Sequence, residues 1–228
     1  MSEPQTREPQ YQACLDLAAQ KGLERLGLMS SQVWHDDPRR LVFVLARYKF
    51  VAKMFSGLRH VLEVGCADGF GTRIVRQEVQ ALTAVDFDPI FVEHAKANMN
   101  PRWSFECLVH DMLAAPLPRG FDGVYAVDVL EHIPPGEPER RFVGNLVASL
   151  HERGVCLLGT PSLQSQAYAS PQSRAGHVNC KDAPGLRALM SEFFHNVFLF
   201  SMNDEVVHTG FYPMAHYLWA LCCSPKKS

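Results

Sequence analysis

His60-Val61-Leu62-Glu63-Val64-Gly65-Cys66-Ala67-Asp68-Gly69-Phe70-Gly71-Thr72 is an apolar run that stops at an acid and then breaks into a glycine-rich turn. Val61, Leu62 and Val64 suit a strand covered on both faces, and a helix is expected to open near Thr72. Gly65 and Gly69 permit backbone angles and close approaches barred to larger residues, so bare amides face whatever lies above them. Strand, glycine turn and helix in that order describe a nucleotide-type ligand site. Tight strand-to-helix turns also need glycine for packing alone, so the segments downstream have to decide.

About twenty residues further on, Ala81-Leu82-Thr83-Ala84-Val85-Asp86 is a second short apolar run ending in a carboxylate, the arrangement that lets a doubly wound sheet hold ribose hydroxyls. A third run, Trp103 to Leu108, ends at His110-Asp111-Met112. A fourth, Phe121 to Val127, ends at Asp128-Val129-Leu130-Glu131-His132. Four successive strands thus deliver polar groups at their carboxyl ends, and in an open parallel α/β sheet those ends line one crevice.

These residues resemble the class I S-adenosylmethionine-dependent methyltransferases, most closely the small-molecule branch that includes the ubiquinone-biosynthesis O-methyltransferases. The resemblance covers residues 58 to 160 firmly and the remainder loosely. Its first motif, acid-x-Gly-x-Gly-x-Gly, is matched by Glu63, Gly65 and Gly69, with Ala67 standing where a glycine is expected. The resemblance implies a Rossmann-like sheet of seven strands, mostly parallel with a C-terminal antiparallel hairpin, and helices on both faces. It implies S-adenosyl-L-methionine as cofactor, S-adenosyl-L-homocysteine as product, and no metal. By the same analogy Glu63 and Gly65 hold the methionine end, Cys66, Ala67, Asp68 and Gly69 complete the turn, and Asp86 holds the ribose. Phe87 covers one adenine face, Asp111 and Met112 its amine and edge, and Asp128 and Val129 flank the transferable methyl.

A dinucleotide dehydrogenase would use a similar turn and acid, but its Gly-x-Gly-x-x-Gly spacing is absent: positions 65, 67 and 70 read Gly, Ala and Phe. Glu63 would also repel a pyrophosphate, whereas carboxylates suit a ligand bearing a sulfonium and an ammonium.

The rest of the chain agrees with one domain. Its 228 residues are 47% apolar, and 22 basic residues stand against 24 acidic ones without a basic block. That excludes the electrostatic footprint of a nucleic-acid binder and favours a small-molecule acceptor. No apolar run reaches the roughly 20 residues needed to span a membrane, and the first residues lack the pattern of a signal peptide, so no membrane insertion and a cytoplasmic location are expected. Cysteines at 14, 66, 107, 156, 180, 222 and 223 show no Cys-x-x-Cys spacing and read as reduced thiols. His177-x-x-Cys180 has a metal-like spacing, but two ligands without a second pair do not make a site. Oligomeric state leaves no mark.

Apolar spacing predicts helices over Tyr11 to Leu26 and Pro38 to Phe55, giving an N-terminal segment, residues 1–57, that caps a core of residues 58–228. Within the core, helices are expected from 72 to 78, from 89 to 99, after Pro134-Pro135-Gly136 with Phe142, Leu146 and Leu150 on one stripe, and over Ala183 to Phe194. Strands are expected at Gly154 to Leu158, Val197 to Phe200 and His216 to Leu221. The polar stretch near 161–182 reads as a lid over the crevice. The linker Asn203 to Pro213 offers Phe211 and Tyr212 as an aromatic wall for the acceptor.

Transfer from a sulfonium needs mainly in-line positioning, but a hydroxyl acceptor must also lose a proton. His132, beside the expected methyl, and His177, on the lid, are the catalytic candidates. Each also has a plain reading, His132 as a backbone anchor and His177 as a loop residue. The expected activity is methylation of a small molecule, at a hydroxyl oxygen. Small-amine N-methylation, a sugar or lipid-linked acceptor, or a cofactor-binding regulatory protein without catalysis are the alternatives.

Overall fold

The alternation along the first strand sorts the protein into two layers of core. The computed structural model describes residues 4–118 and 120–226. In β1 (His60–Val64), Leu62 and Val64 join one buried cluster with Phe142, Leu146 and Leu186, and Val61 joins the other with Tyr48, Val51 and Trp219. Such two-sided burial is what an internal parallel strand requires.

Three helices precede it: α1 (Gln12–Lys21), α2 (Leu28–Asp36) and α3 (Pro38–Met54). The expected single helix over 11–26 stops at Gly22, whose φ of 74° ends it, and α2 then starts after Gly27, a helix the sequence reading lacked. Asp37 caps α3 by accepting the Arg39 amide, with Pro38 at the first turn. The core continues with α4 (Thr72–Arg76), β2 (Ala81–Asp86), α5 (Pro89–Ala97), β3 (Glu106–Val109), β4 (Phe121–Val127), α6 (Glu137–Ser149) and β5 (Leu150–Pro161). Then come α7 (Pro171–Gly176), α8 (Ala183–Phe193), β6 (Phe194–Asn203), β7 (Val206–His208) and β8 (Tyr217–Pro225).

The sheet order is β3-β2-β1-β4-β5-β8-β6-β7. The first five strands are mutually parallel, and β8, β6 and β7 add antiparallel pairings. The mostly parallel sheet with an antiparallel C-terminal part is as expected, but among the described residues there are eight strands, not seven. The extra one, β7, lies inside the 203–213 linker, where Val207 and Val206 pair with Met202 and Asn203. Smaller shifts have local causes: Pro101–Trp103 is a 3-10 turn capped by Asn100, so β3 starts at Glu106 instead of Trp103. Leu150, expected on the stripe of α6, instead begins β5 opposite Phe121. Chain order reverses at β1, with β2 on one side and β4 on the other, which puts a crevice above the carboxyl ends of these strands.

Candidate functional site

The glycine turn is built against the end of β2. Gly65 and Cys66 amides both donate to the Val85 carbonyl, at 2.8 and 3.1 Å. Gly65 has φ 80°, and a Cβ there would fall 2.3 Å from Val129 Cγ2, so the first turn residue must be glycine for both backbone and packing reasons. Ala67, in the place of a glycine, has φ 45°, a left-handed conformation that costs an L-residue about 1–2 kcal/mol. Its amide donates to Asp86 Oδ2 at 2.9 Å, while the Asp88 amide donates to Oδ1 at 3.0 Å. Asp86 is therefore a buried carboxylate fixed by two backbone donors, with acceptor capacity left on each oxygen. Phe87 follows with its ring 75% exposed. The His110 amide bonds the Asp86 carbonyl, bringing exposed Asp111 and buried Met112 to the same edge.

Glu63, Cys66 and Asp68 lie behind this edge. Glu63 faces the core on the α3 side, accepting from Tyr48 Oη at 2.8 Å and Tyr125 Oη at 2.7 Å. Burial pushes its carboxyl up to about 7, against the hydroxyl donors that favour the charged form. Cys66 is buried with its sulfur 4.0 Å from that of Cys107. Asp68 turns to the N-terminal helices: its carboxylate accepts from the Ser30 amide at 2.8 Å and hydroxyl at 3.2 Å, and from the Phe70 amide at 3.1 Å. The structure thus brings Gly65, Ala67, Asp86 and Val129 together, with Gly69 bonding back to the Cys66 carbonyl, but encloses the Glu63 and Asp68 carboxylates beneath them.

The end of β4 carries a second polar group, much of it supplied from far along the chain. Asp128 has φ 57° and its carboxylate meets Arg47 of α3 at 2.5 Å. The Arg47 guanidinium lies 4.1 Å from the centre of the Tyr217 ring, and the Tyr217 oxygen accepts the Asp128 amide at 3.3 Å. Glu131 is 1% exposed; Thr160 donates to its Oε2 at 3.1 Å, and its backbone carbonyl takes the Val178 and Asn179 amides. Among the described residues Arg47 Nε, Asp128 Oδ1 and Glu131 Oε1 are buried atoms with no hydrogen-bond partner. His132 Nδ1 faces the Gly176 carbonyl and His177 Nδ1 faces Gln166 Oε1, each at 2.9 Å, with the two rings 5.3 Å apart. One potential ligand atom from each of Glu131, His132 and His177 lies within 4.8 Å of the others, an arrangement able to hold a metal ion.

Sequence reasoning missed Arg47 and Tyr217. Arg47 carries a faint signal, a cation among the apolar positions Val44, Tyr48 and Val51 of α3; Tyr217 carries none. Two hollows are also present. One, about 290 Å³ beside His60, Ala81 and Phe105, lies at the opposite end of the strands. The other, about 390 Å³ and lined by Asn203, His208, Thr209, Phe211 and Met214, lies beyond the crevice along the same edge of the sheet.

Residues 61–154 match the methyltransferase domain family, in keeping with the resemblance carried by the glycine turn and the strand ends. A mitochondrial ubiquinone biosynthesis O-methyltransferase of Schizosaccharomyces pombe is 30% identical over 128 residues, 54% of this chain and 45% of that protein. An uncharacterized methyltransferase of Mycobacterium tuberculosis is 34% identical over 113 residues, 48% of this chain and 55% of that one. The chain therefore spans about half the length of the curated relatives it matches. In fold it is similar to the N-methyltransferase NodS of Bradyrhizobium japonicum in complex with S-adenosyl-L-homocysteine, with TM-score 0.60, 20% identity, and coverage of 80% of this chain and 86% of that one. Among the described residues no helix is long and apolar enough to cross a membrane.

Proposed function

We propose that the protein transfers the methyl group of S-adenosylmethionine to a hydroxyl oxygen of a small-molecule acceptor. The observation that carries the reading is the unmet pair at the tip of β4: Arg47 Nε, a donor, and Asp128 Oδ1, an acceptor. A free amino-acid end group, with its carboxylate and ammonium, is their chemical complement. Asp86, already held by two amides, adds acceptors for the two ribose hydroxyls, and the exposed Phe87 ring adds a face for adenine, with Asp111 and Met112 at its edge. The bound cofactor would supply a methyl group on a leaving group already activated, so the protein's task is orientation and removal of one proton. His132 and His177 stand next to the Asp128 end of the crevice and are the residues we assign to the acceptor's proton.

The hydroxyl acceptor follows the O-methyltransferase relative and the polar Glu131-His132-His177 group. The 390 Å³ hollow, with Phe211 and Met214 exposed on its wall, would take the acceptor's apolar part. We assign residues 1–57 the role of cap, since α3 contributes Arg47 to the crevice and α2 holds Asp68, and residues 161–182 the role of lid, since they bring His177 to His132. Free thiols at all seven cysteines favour the reducing cytoplasm.

The test is a single-turnover reaction with methyl-labelled cofactor and a metabolite extract. Label should pass to a small molecule in a linkage that resists the conditions that cleave methyl esters. Calorimetry with S-adenosylhomocysteine should show binding that a decarboxylated analogue loses in part. Absence of cofactor binding would refute the proposal; label on an amine nitrogen would refute its acceptor atom.

A further inference from the structure

We infer that Glu131, His132 and His177 form a binding site for a divalent first-row transition ion, with the third ligand supplied by the 161–182 segment. The spacing in sequence did not suggest it: His177 was paired there with Cys180, whereas the fold gives it Glu131 and His132 as neighbours instead.

Three observations converge. The first is the orphaned carboxylate oxygen: Glu131 is 1% exposed, Thr160 satisfies Oε2, and Oε1 has no partner. A buried acceptor without a donor costs free energy that a cation would recover. The second is the orientation of the imidazoles. His132 Nδ1 faces a backbone carbonyl, so the proton belongs on Nδ1 and the lone pair on Nε2. His177 Nδ1 faces the Gln166 side chain, whose own Nε2 donates to the Ser162 carbonyl and the Ser165 hydroxyl, which fixes Oε1 as the atom toward His177. Both rings are thus held by an outer acceptor that sets the tautomer, which is how metal-ligating histidines are supported. The third is the donor set, two imidazoles and one carboxylate, which suits zinc-like ions and leaves coordination positions open.

The present spacing also says what binding must do. Ligands about 2.0–2.2 Å from a tetrahedral ion sit about 3.4 Å apart, less than the 4.8 Å limit within which these atoms lie. Glu131, buried, and His132, exposed, are adjacent in one 3-10 turn, whereas His177 follows α7, a short helix on the 161–182 segment. His177 is thus the ligand from a separate segment, and the ion would tie residues 161–182 to the 3-10 turn. In the reaction proposed above the two imidazoles would then act on the acceptor's proton through the ion, whose open position would bind the hydroxyl and lower its pKa, because coordination occupies both Nε2 lone pairs. Only this last consequence rests on that proposal.

The experiment is a Co2+ titration of the chelator-treated full chain, followed by visible absorption, with Zn2+ displacement measured by calorimetry. One equivalent should bind with a nitrogen-oxygen spectrum, and His177→Ala should weaken binding by about 10- to 100-fold or more, the scale on which even outer-shell losses act. Glu131→Gln should do the same, and His177→Ala protects the test if the buried substitution unfolds the protein. Affinity for S-adenosylhomocysteine in His177→Ala should stay at the wild-type value. No stoichiometric uptake by the wild type, a spectrum showing only thiolate ligation, or uptake unchanged in His177→Ala would overturn the inference. Co2+ uptake by a protein that fails to bind S-adenosylhomocysteine would uphold this site while refuting the proposed function.

Discussion

Replacing Glu63 by Gln should remove a pH dependence of stability that this one buried carboxyl imposes. The group is 1% exposed and its pKa is raised from 4.5 to about 7, chiefly by burial. Between those values the folded protein keeps a proton that the unfolded chain releases, so its contribution is fully present below pH 4.5 and is lost as pH rises through 7. The shift of 2.5 corresponds to about 3 kcal/mol between pH 4 and pH 8 at 1.36 kcal/mol per unit. Gln cannot titrate, so urea unfolding followed by circular dichroism should find the variant gaining about 3 kcal/mol relative to wild type across that range, whatever constant offset the substitution brings. Tyr125→Phe removes a hydroxyl donor 2.7 Å from the carboxylate and should move the wild-type window to higher pH. A stability difference between wild type and Glu63→Gln that stays flat with pH would show that Glu63 is charged and stabilised at neutrality, and the burial argument would fail.

Ala67→Gly should stabilise the protein by about 0.5–1 kcal/mol, because relief of the left-handed strain exceeds the extra entropy of an unfolded glycine; a lower thermal midpoint would contradict it. Asp86→Ala should reduce affinity for S-adenosylhomocysteine by at least about tenfold, since a hydrogen bond to a charged acceptor contributes about 1.5–3 kcal/mol, and unchanged calorimetry would reject the ribose assignment. Arg47→Met should weaken the same ligand by a similar factor while leaving a decarboxylated analogue unaffected; equal losses for both would remove Arg47 from the amino-acid end.

How much of this was legible follows from where the information sits along the chain. The turn needs Gly65 because of φ 80° and a contact with Val129, and both the angle and the apolar strands around it are local, so the motif and the parallel core could be read residue by residue. The strand missed, β7, is three residues long and has no core face of its own to announce it; pairing with β6 makes it a strand. The side chains around Asp128 are the opposite case. Arg47 reaches it across 81 positions, Tyr217 across 89, and Glu131 meets His177 through backbone bonds to Val178 and Asn179. No periodicity encodes such meetings, because each depends on where the sheet order sends a distant segment.

The separation of the acids in space has a more specific cause. In sequence, Glu63, Asp86, Asp111 and Asp128 look like one row, because each stands at or just past the end of an apolar run, with Asp68 in the turn after the first. In space the period of two along a strand divides them. Glu63 is still within β1 and points to the α3 face, where Tyr48 and Tyr125 neutralise the demand it makes, and Asp68 lies past the turn under α2. Asp86 is the last residue of β2 and Asp128 the first past β4, so both stand where the chain turns out of the sheet. The carboxylates we assign to the crevice belong to the last residue of β2 and the first residue past β4, and the helices of the first 57 residues cover the other two. Those helices do so by covering Glu63 and Asp68 while inserting Arg47, the one cation this group of acids receives from them. The same segment that hydrogen-bonds two of the acids also carries the Arg47 we assign to the site, so a deletion of residues 1–57 should cost stability and ligand affinity together. Retention of S-adenosylhomocysteine binding by a folded 58–228 fragment would separate the two and refute that linkage.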